Sequence, residues 1–203
     1  MKNTLAYQVS EDWRFSGGLD VALSDAGTGS TTDANFTELN MGFGYRPVLN
    51  DKLNALVRYT YLSDEGSPGQ VSGTGAANGY EQRSHVFSGD FIYDLFPKLS
   101  VGGKLGYRVG ELRDTTAAGT PWFSSTAWLG VARADWHVVH EWDVTGELRY
   151  LDAKDAGDAK AGGLIGVYRH FNENVKLGVG YNFTDFSDDL TNLDYQSRGV
   201  FFN

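Results

Sequence analysis

The 203-residue sequence contains no cysteine, only four prolines and no apolar run approaching the ~20 residues of a membrane-spanning helix. The absence of cysteine excludes a disulfide scaffold and thiolate metal sites. Only 41% of the residues are hydrophobic and the mean hydropathy is −0.35, which argues against a helical membrane protein. Basic runs are also absent and the net charge is −9, so no nucleic-acid partner is expected.

Glycine and aromatic residues are abundant in this chain, whereas proline is scarce. Glycine occurs 26 times and aromatic residues make up 14% of the chain. This aromatic content, together with many β-branched residues, is too high for a disordered chain. The prolines fall in or next to predicted loops, where no hydrogen bond of a β-ladder is lost. They are Pro47, Pro68, Pro97 and Pro121.

Apolar and polar residues alternate with period two along most of the chain, which is the pattern of half-buried strands. For example, Leu177, Val179 and Tyr181 alternate with Gly178 and Gly180. Several of the predicted strands exceed the usual ~5–6 residues and match the ~9–11 residues of a tilted membrane strand. We predict eleven strands, over residues 4–10, 13–24, 35–47, 53–63, 82–95, 99–112, 122–138, 142–152, 160–170, 175–186 and 195–203.

The connections between these strands are alternately short and long. Short turns at one end and long loops at the other are typical of outer-membrane barrels. We therefore predict an all-β fold, an antiparallel up-and-down transmembrane β-barrel that forms a single domain over residues 1–203. Its predicted location is the outer membrane of a Gram-negative bacterium. Such barrels have an even number of strands and periplasmic termini, so we expect these eleven to belong to a barrel of about 12, trimmed at both ends.

The two faces of the predicted strands differ in composition. Aromatic residues of the apolar face lie toward strand ends, as the two interfaces of a bilayer select. The predicted aromatic girdles are Trp13, Tyr45, Tyr61, Tyr107, Trp128, Trp136, Trp142, Tyr150, Tyr181 and Tyr195. The other face combines glycine with long charged side chains, which need small neighbours in a narrow lumen. The predicted lumen charges are Arg14, Asp20, Glu38, Arg58, Asp90, Lys104, Arg108, Arg133, Asp135, Glu147, Arg149, Arg169, Lys176 and Arg198.

Four segments resemble an outer-membrane β-barrel family of Gram-negative bacteria. They are YRPV (45–48), NDKLNALVRYTYL (50–62), GVYRH (166–170) and GVGYNFTDFSDDL (178–190). In that family the barrel is often the C-terminal region of large multidomain surface proteins, so the resemblance implies fused surface domains. Family members usually continue past the position of Asn203 to an aromatic terminus. The partners expected of such a barrel are the lipid bilayer, lipopolysaccharide and the barrel-assembly machinery.

Catalytic and metal-binding patterns are weak. His137 and His140 are the only close histidine pair, and only two adjacent acidic residues accompany them, so we expect no metal site. Asp185, Asp188 and Asp189 lack the glycine and terminal glutamate of an EF-hand, and we interpret them as part of a solvated loop. The nucleophile motif G-x-S-x-G is absent, and we expect neither enzyme activity nor a cofactor.

The predicted lumen charges allow two interpretations. The basic members outnumber the acidic ones, and an open pore with that bias would concentrate anions. Alternatively, Arg133 and Asp135 face Glu147 and Arg149 on a neighbouring strand, and such ion-pair networks plug a small barrel. About twelve strands lie between filled barrels of ~8 strands and open channels of ~16–18, and we favour the plugged state.

These considerations predict a membrane anchor or structural barrel with a narrow pore at most. One alternative is a passive porin-like channel for small solutes with a weak anion preference. The other is a soluble β-barrel that binds a hydrophobic ligand, since alternation alone does not reveal which face points inward.

Overall fold

The computed structural model of the chain describes residues 1–24, 34–65, 80–114, 119–139, 141–172, 175–186, 190 and 198–202. Eleven strands and one short 3₁₀ turn, Lys154–Ala156, form within these residues. The strands are β1 (Lys2–Gln8), β2 (Trp13–Ser24), β3 (Ala34–Tyr45), β4 (Leu53–Glu65), β5 (Tyr80–Phe96), β6 (Leu99–Asp114), β7 (Phe123–Val139), β8 (Trp142–Ala153), β9 (Asp158–Asn172), β10 (Val175–Asn182) and β11 (Gly199–Phe202). In this described part of the chain, no helix has the length and apolar character needed to cross a membrane.

Each strand pairs with its neighbours in sequence, in the order β1 to β11, and every pairing is antiparallel. The predicted all-β class, the up-and-down connectivity and the eleven strands are therefore confirmed. Within the described residues no ladder joins β1 to β11, so the sheet is not closed there.

The observed strands follow the predicted ones closely, except near the C-terminus. Alternation predicts a strand up to residue 186, but β10 ends at Asn182. The N–H of Phe183 still donates a 2.8 Å hydrogen bond to the Gly163 carbonyl of β9. The next N–H, that of Thr184, donates a 2.9 Å hydrogen bond to the side-chain Oδ1 of Asn182 instead, a local bond that competes with ladder pairing. Regular pairing therefore ends within two residues of Asn182, and the alternation that continues to Phe186 no longer marks a strand.

The two faces of the sheet differ in exposure. On one face, named the apolar face, large hydrophobic side chains lie open: Val57 is 64% exposed, Leu105 71% and Leu148 72%. The opposite face, named the polar face, carries most of the charged side chains and buried residues such as Leu62 and Leu129. In a soluble protein, an antiparallel sheet packs its apolar face on a core and exposes its polar face to water. This sheet instead leaves its apolar side chains uncovered.

The polar face is the concave face of the sheet. Leu190, beyond β10, lies over Gly106 of β6, where an added Cβ would stand 2.9 Å from Leu190 Cδ1. Arg108 of the same strand donates a 3.1 Å hydrogen bond to the carbonyl oxygen of Leu190. Three strands separate β6 from β10, and a sheet curled around its polar face brings Leu190 within reach of β6.

Two aromatic rings on the polar face occupy space left by glycines. Tyr168 lies where a side chain at Gly178 would be, with an added Cβ 2.6 Å from Tyr168 Cε1. Phe201 occupies the equivalent space over Gly180, 2.7 Å from Cε1. Glycine is required at these positions because real Cβ atoms do not approach other atoms so closely.

Replacing Gly178 with valine is expected to destabilise the folded protein by about 1–3 kcal/mol, because the Tyr168 ring must leave the sheet. The measurement is the free energy of unfolding in urea, with the protein refolded into lipid vesicles. Gly130→Val is the control, since nothing lies within 4 Å of a Cβ at Gly130. Equal stability of the two variants would contradict the close packing of Tyr168 on Gly178.

Candidate functional site

The chain beyond β10 folds onto the polar face at the end of the sheet where the long connections lie. Phe186 is 5% exposed and Leu190 7%, and they pack against Val86, Ala127 and Leu129. We call these five residues the loop-end core. Apolar packing of this kind covers the polar face at its loop end.

Thr184 attaches this segment to β9. The residue is fully buried, and its hydroxyl donates a 3.3 Å hydrogen bond to the carbonyl oxygen of Gly163. A Cβ added at Gly162 would lie 2.8 Å from both Cβ and Cγ2 of Thr184. The bare backbone of Gly162 is therefore what allows Thr184 to approach the sheet.

Arg108 links three parts of the chain at the loop-end core. Its guanidinium is fully buried and donates to the Leu190 carbonyl at 3.1 Å and to Gln82 Oε1 at 3.2 Å. A buried cation requires such partners, because removing a charge from water without them costs several kcal/mol. These bonds join β5, β6 and the segment after β10 across a sequence separation of 82 residues.

A second group of polar side chains lies at the opposite end of the same face, near the short turns. The Asp143 carboxylate is 2.6 Å from His137 Nδ1 and 2.7 Å from His170 Nε2, and it accepts a 2.6 Å hydrogen bond from Lys176 Nζ. We call these four residues the turn-end cluster. Strands β7, β8, β9 and β10 each contribute one member, and the alternating register directs all four to the polar face.

The neighbouring charges are paired mainly along single strands. Arg133 donates to Asp135 through Nε at 2.8 Å and through Nη2 at 3.0 Å, and Thr145 donates to the same carboxylate at 2.6 Å. Within β8, Arg149 donates a hydrogen bond through Nε to Glu147 Oε1. Arg133 and Glu147 are register partners across β7 and β8. The charges thus form compact neutral pairs on the wall.

The register places most of the predicted lumen charges on the polar face. Those on it are Arg14, Asp20, Glu38, Arg58, Asp90, Lys104, Arg108, Arg133, Asp135, Glu147, Arg149 and Lys176. Arg198 precedes β11 and lies outside the ladder.

The placement expected for Arg169 is corrected by the register. Arg169 pairs with Trp142 and with Leu177, which puts it on the apolar face. There its guanidinium lies 5.6 Å from the Trp142 ring centroid and 5.0 Å from that of Phe171, and it pairs with Glu141 at 3.0 Å. Ring faces and a nearby carboxylate stabilise the cation at the strand end, so alternation of polarity fails at this position.

The predicted aromatic girdles lie on the apolar face wherever the structure describes them. These are Trp13, Tyr45, Tyr61, Tyr107, Trp128, Trp136, Trp142, Tyr150 and Tyr181, whereas Tyr195 falls outside the described residues. Ring pairs join neighbouring strands, with centroids 4.8 Å apart for Trp13 and Tyr45 and 4.2 Å apart for Tyr107 and Trp128. The girdle function itself remains a prediction.

Sequence reasoning missed the residues that come together on the polar face. Phe186 falls in a predicted strand and Leu190 in the connection after it, and nothing in the sequence pattern connects His170 with His137. The segment 178–190, which resembles the barrel family, includes Phe186 and Leu190. The resemblance does not predict that these residues pack on the polar face. Of the weak metal candidates, His140, Asp188 and Asp189 lie outside the described residues. In the part of the chain that the structure describes, no three His, Asp or Glu side chains are grouped to hold a metal ion.

Comparison with known proteins finds similarity only at the level of strand arrangement. No family model and no curated protein sequence matches the chain. Among solved structures, the copper transporter OprC is 14% identical with a TM-score of 0.48, and the match covers 89% of this chain and 35% of that protein. A TodX monoaromatic hydrocarbon channel mutant is 12% identical (TM-score 0.48, 99% and 71% covered). The P. putida toluene transporter TodX is also 12% identical (TM-score 0.45, 89% and 66%).

Proposed function

We propose that the sheet is the wall of a β-barrel in the outer membrane of a Gram-negative bacterium. The apolar face meets lipid and the polar face lines the lumen. The loop-end core constricts that lumen, so the barrel acts as a membrane anchor or structural element with a narrow pore at most. The lipid bilayer, lipopolysaccharide and the barrel-assembly machinery are the partners that such a barrel requires.

The observation that carries this proposal is the exposure of apolar side chains on the convex face. Val57, Leu105 and Leu148 are 64–72% exposed on three different strands, and aromatic rings lie toward the strand ends on the same face. A soluble barrel with a hydrophobic ligand inside would place its apolar residues on the concave side. Here the concave side carries the paired charges instead, as in a membrane barrel with a polar interior.

The constriction is supported by three buried side chains of the inward segment. Thr184, Phe186 and Leu190 cross the concave space from β9 toward β5–β7, and Arg108 binds the backbone there. A wide porin-like channel would need that space free. Arg133 pairs with Asp135 and Arg149 with Glu147, so these two cations are neutralised locally and do not favour anions.

Extraction and conductance measurements on the full-length protein test the proposal together. We expect the protein to remain with the membrane fraction through alkaline carbonate washing and to be released only by detergent. In planar bilayers we expect single-channel conductance far below that of a general porin. Release by the aqueous wash would overturn the membrane assignment, and a large, permanently open conductance would support the passive channel instead.

A further inference from the structure

A cavity of about 570 Å³ lies on the polar face at the short-turn end of β2–β5. We call it the β2–β5 cavity, and its volume suits a small molecule. Its floor is partly apolar, because Leu56 of β4 and Ile92 of β5 lie on the polar face there. Gly44 of β3 leaves the neighbouring space open, since an added Cβ would approach other atoms no closer than 4.0 Å.

Arg14 and Asp90 line the β2–β5 cavity from opposite sides. In the register of the ladders, Arg14 of β2 faces Gly44, and Asp90 of β5 faces Leu56. Gly44 and Leu56 are themselves partners, so the four residues form one row across the sheet. Three strand spacings separate the Cα atoms of Arg14 and Asp90, about 14 Å along the sheet. An open glycine and an apolar side chain therefore lie between two opposite charges.

These two charges differ from those of the neighbouring wall because neither has a partner. Arg133 and Arg149 each bond a carboxylate of their own strand. Among the described residues, no hydrogen bond or salt bridge reaches the guanidinium of Arg14 or the carboxylate of Asp90. On β6, Lys104 neighbours Asp90 on the side away from Leu56, so a ligand approaches this carboxylate from the Leu56 side. A ligand with an anionic and a cationic end is complementary to the pair.

The other charges of the β2–β5 cavity disfavour a simple anion. Its charged lining residues are two cations, Arg14 and Arg46, and four carboxylates, Glu11, Asp12, Asp51 and Asp90. Arg46 and Asp51 neutralise each other, with Nε and Oδ1 3.3 Å apart. An anion alone would meet the excess of negative charge, whereas a cation alone would leave Arg14 without a counter-ion. A zwitterion satisfies both ends without changing the net charge.

We propose that the β2–β5 cavity binds short apolar peptides with free termini. The Arg14 guanidinium donates hydrogen bonds to the peptide carboxylate, the Asp90 carboxylate accepts them from the ammonium group, and the peptide side chains pack on Leu56 and Ile92. Two or three extended residues span about 7–11 Å, which fits the distance between Arg14 and Asp90 once their own side chains are subtracted. The site rests on the proposed function in one respect, since the polar face must be open to water at the short-turn end.

Leucyl-leucine is the probe for this site, and its two capped forms each lack one charge. In calorimetric titrations of the detergent-solubilised full-length protein, leucyl-leucine should bind on the order of tenfold tighter than leucyl-leucine amide or N-acetyl-leucyl-leucine. Free leucine carries both charges on one carbon and cannot reach both side chains, so it should also bind more weakly. Absence of leucyl-leucine binding, or equal or tighter binding of any of the other three compounds, would overturn the proposal.

Variants at the two ends separate the site from general effects on folding. Arg14→Gln should abolish the preference for leucyl-leucine over its amide and keep the preference over the N-acetyl form, and Asp90→Asn should do the reverse. Misfolding would weaken all three peptides alike. Arg46→Gln is the matched control, because Arg46 lines the same cavity but pairs with Asp51, and should keep both preferences. Any other pattern would contradict the assigned roles. Binding in detergent requires neither a membrane nor conductance, so its failure is distinguishable from failure of the extraction and bilayer experiments.

Discussion

Replacing Gly162 with valine is expected to increase the single-channel conductance severalfold. The new Cβ would stand 2.8 Å from the Cβ of Thr184, and that residue is fully buried with no room to rotate away. Because the conflict involves atoms next to the Thr184 backbone, the segment itself must lift from β9. Phe186 and Leu190 would then lose their packing, and the concave space that they fill would open to water.

Conductance of Gly162→Val and of the unchanged protein in planar bilayers measures this effect. Gly146→Val is the matched control, because Gly146 lies on the apolar face of β8 and nothing is within 4 Å of a Cβ there. Both variants must show the same β-sheet circular dichroism before they are compared. If Gly162→Val conducts like the control, the inward segment does not limit the pore.

Replacing Val57 with arginine is expected to lower the free energy of unfolding from lipid, and so destabilise the folded protein, by about 2–4 kcal/mol, the cost of a cation near the bilayer midplane. Val57 lies near the middle of β4, and its neighbours in the ladder are Phe43 and Gly89. The side chain is 64% exposed, so in water the same change would cost little. The substitution thus distinguishes lipid from water at this face.

Urea titrations of the protein folded in phospholipid vesicles measure the loss. Leu49→Arg supplies the control, since Leu49 lies fully exposed in the short turn between β3 and β4, beyond the strand ends. A cost at Val57 and none at Leu49 supports a lipid-facing apolar surface. Similar, small effects at both positions would favour the soluble barrel instead.

Most of the strands were predictable because the alternation of apolar and polar residues in each strand reflects the surroundings of its two faces. Alternation between Leu99 and Tyr107, for example, requires only that one side of β6 meets apolar surroundings and the other polar ones. Ladder partners then follow from short turns, since Pro97 and Lys98 leave no choice but to pair β5 with β6. Local pattern and local connection therefore suffice for the order of the sheet.

The errors occurred where a side chain has a partner outside its own strand. Arg169 lies among apolar neighbours because the rings of Trp142 and Phe171 stabilise its charge. The residues after Asn182 continue the period of two although regular pairing ends, because Thr184 still packs over Gly162 and Phe186 packs in the loop-end core. Trp142 and the residues of that core are too distant in sequence to alter the local pattern.

The sequence by itself determined the all-β class, the eleven strands, their order and the division of each strand into an apolar and a polar face. A period of two is a property of neighbouring residues, so it can be read from the sequence before the fold is known. Only the tertiary structure decided that the polar face is concave and filled at one end. Contacts such as that of Arg108 with Leu190 join positions 82 residues apart, and their geometry depends on how far the whole sheet curls. Strand pairing likewise brings His137, Asp143, His170 and Lys176 from four strands into one hydrogen-bonded cluster.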